Sequence, residues 1–264
     1  MIGLGSYAFF WQQSDKNPNA LTLAEVFQAT KDLGVDLFQI CDYAPLIKMS
    51  GPDLEAAAAT ARDLGLTIEL GTKGIEPEHL ALFLHLAKIF DAKLVRSMVY
   101  SPTSKPTLEQ AAQYLSVAMP AYEAAGVTLA LETYEQISTD DLAQLVRQNG
   151  SPNLGICLDP ANVVARFEHP KHCVEVAAPL VKNIHVKDFA FARQDGWVGF
   201  TYTGCEMGTG AHDYLSLLDT VKPRQNGINE IVEHWLPWQG DIAATIDLEK
   251  TWTKSTIEYL RSTN

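Results

Sequence analysis

Along this whole chain, short apolar runs rich in β-formers alternate with longer stretches of helical periodicity, and that alternation constrains the fold more than any other feature. The strand-like runs fall at 2–9, 37–41, 67–70, 94–99, 128–132, 154–159, 182–187 and 230–233. Helical patterns follow them at 23–33, 53–64, 77–90, 108–125, 140–148, 171–178, 214–220 and 243–261. Spread over eight units, 264 residues leave 33 for each, close to what one strand, one helix and two loops require. Repeated strand–helix units build parallel sheets. Helix punctuation agrees with this parse. Thr22 precedes Glu25 by three, Thr107 precedes Glu109 and Gln110, and Ser138 precedes Asp140 and Asp141, which predicts N-caps with acids in the first turn. Gly34, Gly65 and Gly126 each sit between the end of a helix and the next strand, where a left-handed residue releases the chain. No linker or composition shift divides the sequence, so one domain over 1–264 is expected.

Eight parallel strands can close into a barrel or spread into a doubly wound sheet. Gly3-Leu4-Gly5 lacks the third glycine of a dinucleotide fingerprint and runs into aromatics instead of a helix. The expected fold is therefore α/β, a (β/α)8 TIM barrel, for which about 250 residues is typical. Composition narrows the function classes. A net charge of −12 is the wrong sign for gripping a phosphate backbone, so no nucleic-acid partner is expected. With 47% hydrophobic residues and a mean hydropathy of −0.04, the chain is neither disordered nor, lacking about 18 uninterrupted apolar residues, membrane-spanning. The opening MIGLGSYAFFWQQ reads as a first strand and not as a signal peptide, which points to the cytoplasm. Cys41, Cys157, Cys173 and Cys205 lie far apart with no C-x-x-C pair, so reduced structural thiols are expected instead of a zinc cluster.

In a TIM barrel the functional residues gather at the C-terminal ends of the strands. Four late strands end in ligand-type side chains: Glu132, Asp159, His185 and Glu233. They are spaced by 27, 26 and 48 residues, the first two intervals matching one unit and the third holding an insertion. Neighbouring strand ends lie about 5 Å apart and aim inward residues at a common axis. Three carboxylates there repel strongly unless a cation neutralises them. Taken singly, each has an ordinary explanation as a cap or core residue. Together they predict a divalent metal site. Oxygen-rich ligation with one imidazole favours Mn²⁺ first, with Mg²⁺ or Co²⁺ close behind and Zn²⁺ as an alternative.

The order Glu, Asp, His, Glu in LETYE, CLDPAN, NIHVKDF and IVEHW resembles the xylose-isomerase-like barrels, which include sugar isomerases, 3-epimerases and inosose dehydratase. His185-Val186-Lys187-Asp188 is similar to a His-x-Lys-Asp strand common there, and Met207-Gly208-Thr209-Gly210 to a Gly-x-Gly loop. Asn162 stands where the epimerases often carry a histidine. The resemblance implies a metal-dependent isomerase or epimerase acting through an enediolate on a small ketose or related carbonyl polyol, with Glu132 and Glu233 moving the proton. It also implies a homodimer or homotetramer. The alternative that shares the metal is a carboxy-lyase acting on a 3-oxo sugar acid. A non-catalytic sugar-binding module is the third class. Candidate substrate contacts at or near other strand ends are Tyr7, Glu69, Lys73, Arg96, Asn162 and Lys187. The three cations among them either balance nearby acids or meet an anionic group of the substrate. The insertion at 189–212, with Phe189, Phe191, Trp197, Phe200, Tyr202 and five glycines, is expected to be a lid loop.

Overall fold

A computed structural model describes residues 1–263 other than 195 and 197. Strands β1 (Ile2–Gly5), β2 (Leu37–Cys41), β3 (Thr67–Gly71), β4 (Leu94–Ser97), β5 (Thr128–Glu132), β6 (Leu154–Leu158) and β7 (Val181–Val186) run parallel to their neighbours, and β10 (Asn229–Val232) lies between β7 and β1 to close an eight-stranded barrel. Helices α1 (Leu23–Asp32), α2 (Gly51–Asp63), α3 (Pro77–Ile89), α4 (Leu108–Ala125), α5 (Thr139–Asn149), α6 (Pro170–Ala177), α7 (Tyr214–Val221) and α8 (Ile242–Ser262) surround it.

The helices form where the sequence punctuates them. The hydroxyl of Thr22 accepts from the Glu25 amide while Glu25 reaches back to the Thr22 amide, and Thr107 and Gln110 repeat this capping box. Each such cap is worth about 1 kcal/mol. Gly34, Gly65 and Gly126 take φ of 69°, 64° and 63°. Helix α1 buries Leu23, Val26, Phe27 and Thr30, an i, i+3, i+4, i+7 stripe that packs on the outer face of the barrel. Strand parity decides the rest. On β7, Ile184 and Val186 join the apolar layer beneath the helices, so Asn183 and His185 point into the barrel.

Three expectations need correction. Strand β1 ends at Gly5, because Ser6 turns the chain into a 3-10 turn (Ser6–Phe9) by accepting from the Cys41 amide, so Tyr7 sits on that turn. Ser50 caps α2, which therefore begins two residues earlier than expected, at Gly51. The insertion is largely not a loop. Strands β8 (Asp188–Arg193) and β9 (Phe200–Cys205) pair antiparallel, with Phe191 opposite Tyr202 and their ring centroids 4.9 Å apart. Period-two alternation in Phe189, Phe191 and Phe200, Tyr202 carries that hairpin. Trp197, part of the expected lid, lies outside the described residues. The four cysteines are free, as expected. No helix among the described residues is long and apolar enough to cross a membrane.

Candidate metal centre

Barrel closure brings Glu132 at the end of β5, Asp159 just past β6, His185 on β7 and Glu233 just past β10 into one buried cluster. His185 Nδ1 lies 3.3 Å from Glu132 Oε1, 3.4 Å from Glu233 Oε2 and 3.8 Å from Asp159 Oδ2. Glu132, Asp159 and His185 each offer a ligand atom within 4.8 Å of the others, a spacing that suits one metal ion. Glu233 adjoins that set through His185. Glu132 Oε2 and Asp159 Oδ2 are met only by the Arg96 and Lys187 cations, while Glu233 Oε1 and His185 Nδ1, both buried, make no hydrogen bond. Buried polar atoms are rarely left so, and the Glu132, Asp159 and His185 atoms grouped here fit the donor set of a hard or borderline divalent cation.

Two buried cations share the cluster. Lys187 Nζ reaches Asp159 Oδ2 at 2.5 Å and Glu233 Oε2 at 2.9 Å, and lies 4.8 Å from the centre of the Trp235 ring. Arg96 pairs with Glu132 through Nη2 and with Asp42 Oδ1 through Nη1 at 3.4 Å. Asp42 in turn accepts from the Tyr7 hydroxyl at 3.1 Å and pairs with the half-buried Lys73 at 3.2 Å. Burial alone would lift the Glu132 carboxyl, but Arg96 above all, with His185 and Lys187, holds it well below the usual carboxylate range. Burial pushes Asp159 up to about 6 against the pull of Lys187. For Lys187 itself, burial favours loss of the proton, yet Asp159 and Glu233 outweigh it and keep the ammonium charged.

The part-exposed Tyr7 and Lys73 and the buried Arg96 and Lys187 thus surround the cluster, each engaged with an acid. The other two expected contacts are bonded to protein partners. Asn162 spends its amide on Glu132 Oε1 at 2.8 Å and on the Thr133 carbonyl, because the 3-10 turn that follows β6 (Asn162–Arg166) aims it sideways. Glu69 is mid-strand and buried towards the amino-terminal end of the barrel strands, where it accepts from Gln39, Asn183 and Asn229. Burial raises its carboxyl while those three amides pull it down. The sequence reading missed Gln39 and Asn183. Their signal is a lone amide at an inward position of an otherwise apolar strand, LFQIC, and the parity that Asn183 shares with His185.

The inserted hairpin forms one wall. All four backbone N–H groups of Phe189, Gly208, Gly210 and His212 point at the Asp188 carboxylate, at 2.8–2.9 Å, and clamp its base. At its side the Tyr202 hydroxyl donates to the Ala161 carbonyl at 2.7 Å, two residues beyond Asp159. A cavity of about 430 Å³ opens beside Lys73, Tyr100, Lys105, Tyr134 and Gln136, within the range usual for small-molecule sites. A larger one of 760 Å³, beside Phe167 and Phe191, is mostly apolar and holds none of the clustered carboxylates.

A parallel barrel with Glu, Asp, His and Glu converging at the C-terminal ends of its strands defines the class, and the xylose isomerase-like TIM barrel model matches residues 27–263. The chain belongs to that family. Over 263 residues it is 47% identical to 3-oxo-isoapionate decarboxylase from Pectobacterium atrosepticum, covering 100% of this chain and 96% of that protein. The D-psicose 3-epimerase of Clostridium cellulolyticum H10, solved with D-tagatose, superposes with a TM-score of 0.75 at 13% identity, covering 99% of this chain and 98% of the other. A xylose isomerase-like protein from Mycobacterium smegmatis, solved with magnesium, gives 0.72 at 16% identity, covering 96% and 95%. At these identities the solved structures establish the fold alone.

Proposed function

We propose that this chain is a divalent-metal-dependent carboxy-lyase acting on a 3-oxo sugar acid of the 3-oxo-isoapionate type. The observation that carries this reading is the pair of buried cations, Arg96 and Lys187, among the three carboxylates. With His185 neutral the cluster holds one surplus negative charge, which a dication converts to one surplus positive charge. In a buried site that surplus suits a monocarboxylate better than a neutral ketose. The 47% identity to a decarboxylase supports the same choice.

Glu132, Asp159, His185 and Glu233 would hold the cation, which would supply Lewis acidity to the substrate's oxo group and adjacent hydroxyl. The other roles fall to the chain's own residues. Loss of CO₂ breaks the bond between the carboxylate carbon and its neighbour, and the electron pair passes towards the oxo oxygen as an enediolate. A proton then returns to the carbon. No base has to remove a C–H proton, which accords with a Glu132 carboxylate already held by Arg96 and Asn162. Lys187 would orient the departing carboxylate and return the proton, its present partners Asp159 and Glu233 being residues that would hold the cation. The Tyr7 hydroxyl, raised far above its ordinary value first by burial and then by Asp42, stays protonated and holds the Asp42 carboxylate in place beside Arg96 and Lys73.

The test is direct. Protein stripped with EDTA and reloaded with Mn²⁺, Mg²⁺, Co²⁺ or Zn²⁺ is expected to release CO₂ from 3-oxo-isoapionate and to place solvent deuterium on the carbon that lost it. No CO₂ with any of these ions, together with deuterium exchange into a ketose at C3, would overturn the reading in favour of an epimerase. That second reading draws on the two carboxylates, Glu132 and Glu233, that stand within 3.4 Å of His185 Nδ1.

A further inference from the structure

Beneath the carboxylate cluster, a second set of polar groups is buried in the barrel. Glu69 Oε2 accepts from Gln39 Nε2 at 3.1 Å and from Asn183 Nδ2 at 3.0 Å, and Glu69 Oε1 accepts from Asn229 Nδ2 at 2.7 Å. The Gln39 amide nitrogen also donates to Asn183 Oδ1 at 3.1 Å, an oxygen that the Cys157 thiol reaches at 3.6 Å. Gln39 Oε1 meets His185 Nε2 at 2.8 Å.

The carboxylate dictates every orientation in this set. Ionised, it accepts and cannot donate, so the amides of Gln39, Asn183 and Asn229 all turn their nitrogens towards it. If Gln39 were flipped, its oxygen would face Glu69 and Asn183 Oδ1, two acceptors, at a fully buried position. Its oxygen is therefore left to face His185, and Nε2 must carry the hydrogen. The lone pair of the neutral ring is then confined to Nδ1, the atom that faces Glu132, Asp159 and Glu233 and makes no hydrogen bond.

We propose that Glu69 and Gln39 are positioning residues, a relay from the amino-terminal end of the barrel that fixes the His185 tautomer and ring plane so that Nδ1 is presented to a divalent cation. The proposal rests on the metal site of the functional reading and not on the reaction assigned to it. Partners on the second nitrogen of a metal-bound histidine typically govern affinity by 10–100-fold. Barrel closure makes the relay possible, since Gln39 and His185 are 146 residues apart in the chain.

The experiment has a spectroscopic arm and a binding arm. In ¹⁵N-histidine-labelled, metal-free protein, at a pH where the ring is neutral, long-range ¹H–¹⁵N correlations of His185 are expected to show the Nε2–H tautomer. Gln39→Met, of similar volume but without an acceptor, is expected to mix or reverse the tautomers and to weaken Mn²⁺ binding by about 10–100-fold in calorimetric titration. Its fold is checked by its melting transition in EDTA. Glu69→Gln, which leaves at least one amide donor unmatched, is expected to shift both readouts in the same direction by less. An Nδ1–H tautomer in the wild type, or a folded Gln39→Met protein that binds Mn²⁺ as tightly as the wild type, would overturn the relay. Should Gln39→Met fail to fold, the wild-type spectrum and Glu69→Gln still decide. Wild-type protein that binds Mn²⁺ with the expected tautomer but releases no CO₂ would sink the decarboxylase reading alone.

Discussion

At the residue scale, Lys187 is the side chain whose removal separates the roles most sharply. Its ammonium neutralises Asp159 and Glu233, the work a dication would do. Lys187→Met should therefore tighten Mn²⁺ binding while lowering turnover of the 3-oxo acid by about 10²–10⁴, the usual share of a positioned acid. Titration calorimetry beside CO₂ release checks both directions at once. Weakened metal binding would show that Lys187 supports the site instead of competing for it. Much at this scale was legible in advance: Glu132, Asp159, His185 and Glu233 were found from their places at strand ends. The partner of Asn162 was not legible, because the turn that carries it bends towards Glu132. Nor was the depth of Glu69, because inward parity alone does not say how deep in the barrel a residue sits.

At the scale of elements, helix α8 is tied to the segment after β1 by a buried carboxylate. Glu249 accepts from the Trp11 amide at 2.8 Å and from the backbone and side-chain amides of Gln12 at 3.1 Å each. Burial nevertheless pushes its carboxyl up to about 7. The sign follows from linkage. A carboxyl that titrates higher in the folded than in the unfolded state binds its proton more tightly when folded. Its stabilising contribution is thus complete below the unfolded value near 4.5 and is lost as pH rises through about 7. Melting temperatures of the wild type and Glu249→Gln, compared from pH 5 to pH 8, should diverge in favour of the variant with rising pH, by up to about 3 kcal/mol. A difference that stays constant with pH would refute this. The element borders themselves were set locally, by Thr22, Thr107 and Ser138 as caps and by the glycines that end helices. The hairpin of β8 and β9 was missed, although its alternation was present, because a long interval between two barrel strands was read by its length and not by its period.

For the whole molecule, a cation held as proposed would couple its binding to stability, because the proposed ligands come from four strand ends that share one place only in the folded barrel. Mn²⁺ at a hundred times its dissociation constant should stabilise the folded state by about 2.7 kcal/mol. In a chain of 264 residues that corresponds to a rise of several degrees in melting temperature over EDTA-treated protein. Scanning calorimetry with each of the four candidate ions checks it, and an unmoved transition with all four would remove the metal site. The net charge of −12 attracts cations and repels anions at long range, so attraction for the proposed sugar acid would have to come from the site itself.

Local order along the chain sets the alternation of strands and helices, the caps, which side of each strand faces inward, and hence which acids and which histidine would meet. Each of these depends on a residue's near neighbours, through hydrogen bonds of one turn or the two-residue period of a strand. Only the tertiary structure decided which inward groups touch. Strand tilt and register put Gln39 against His185, Arg96 on Glu132 and Lys187 between Asp159 and Glu233. Among buried charges a displacement of a few ångströms decides whether a carboxylate is free, paired or open to a metal, and no local periodicity in the chain encodes that distance.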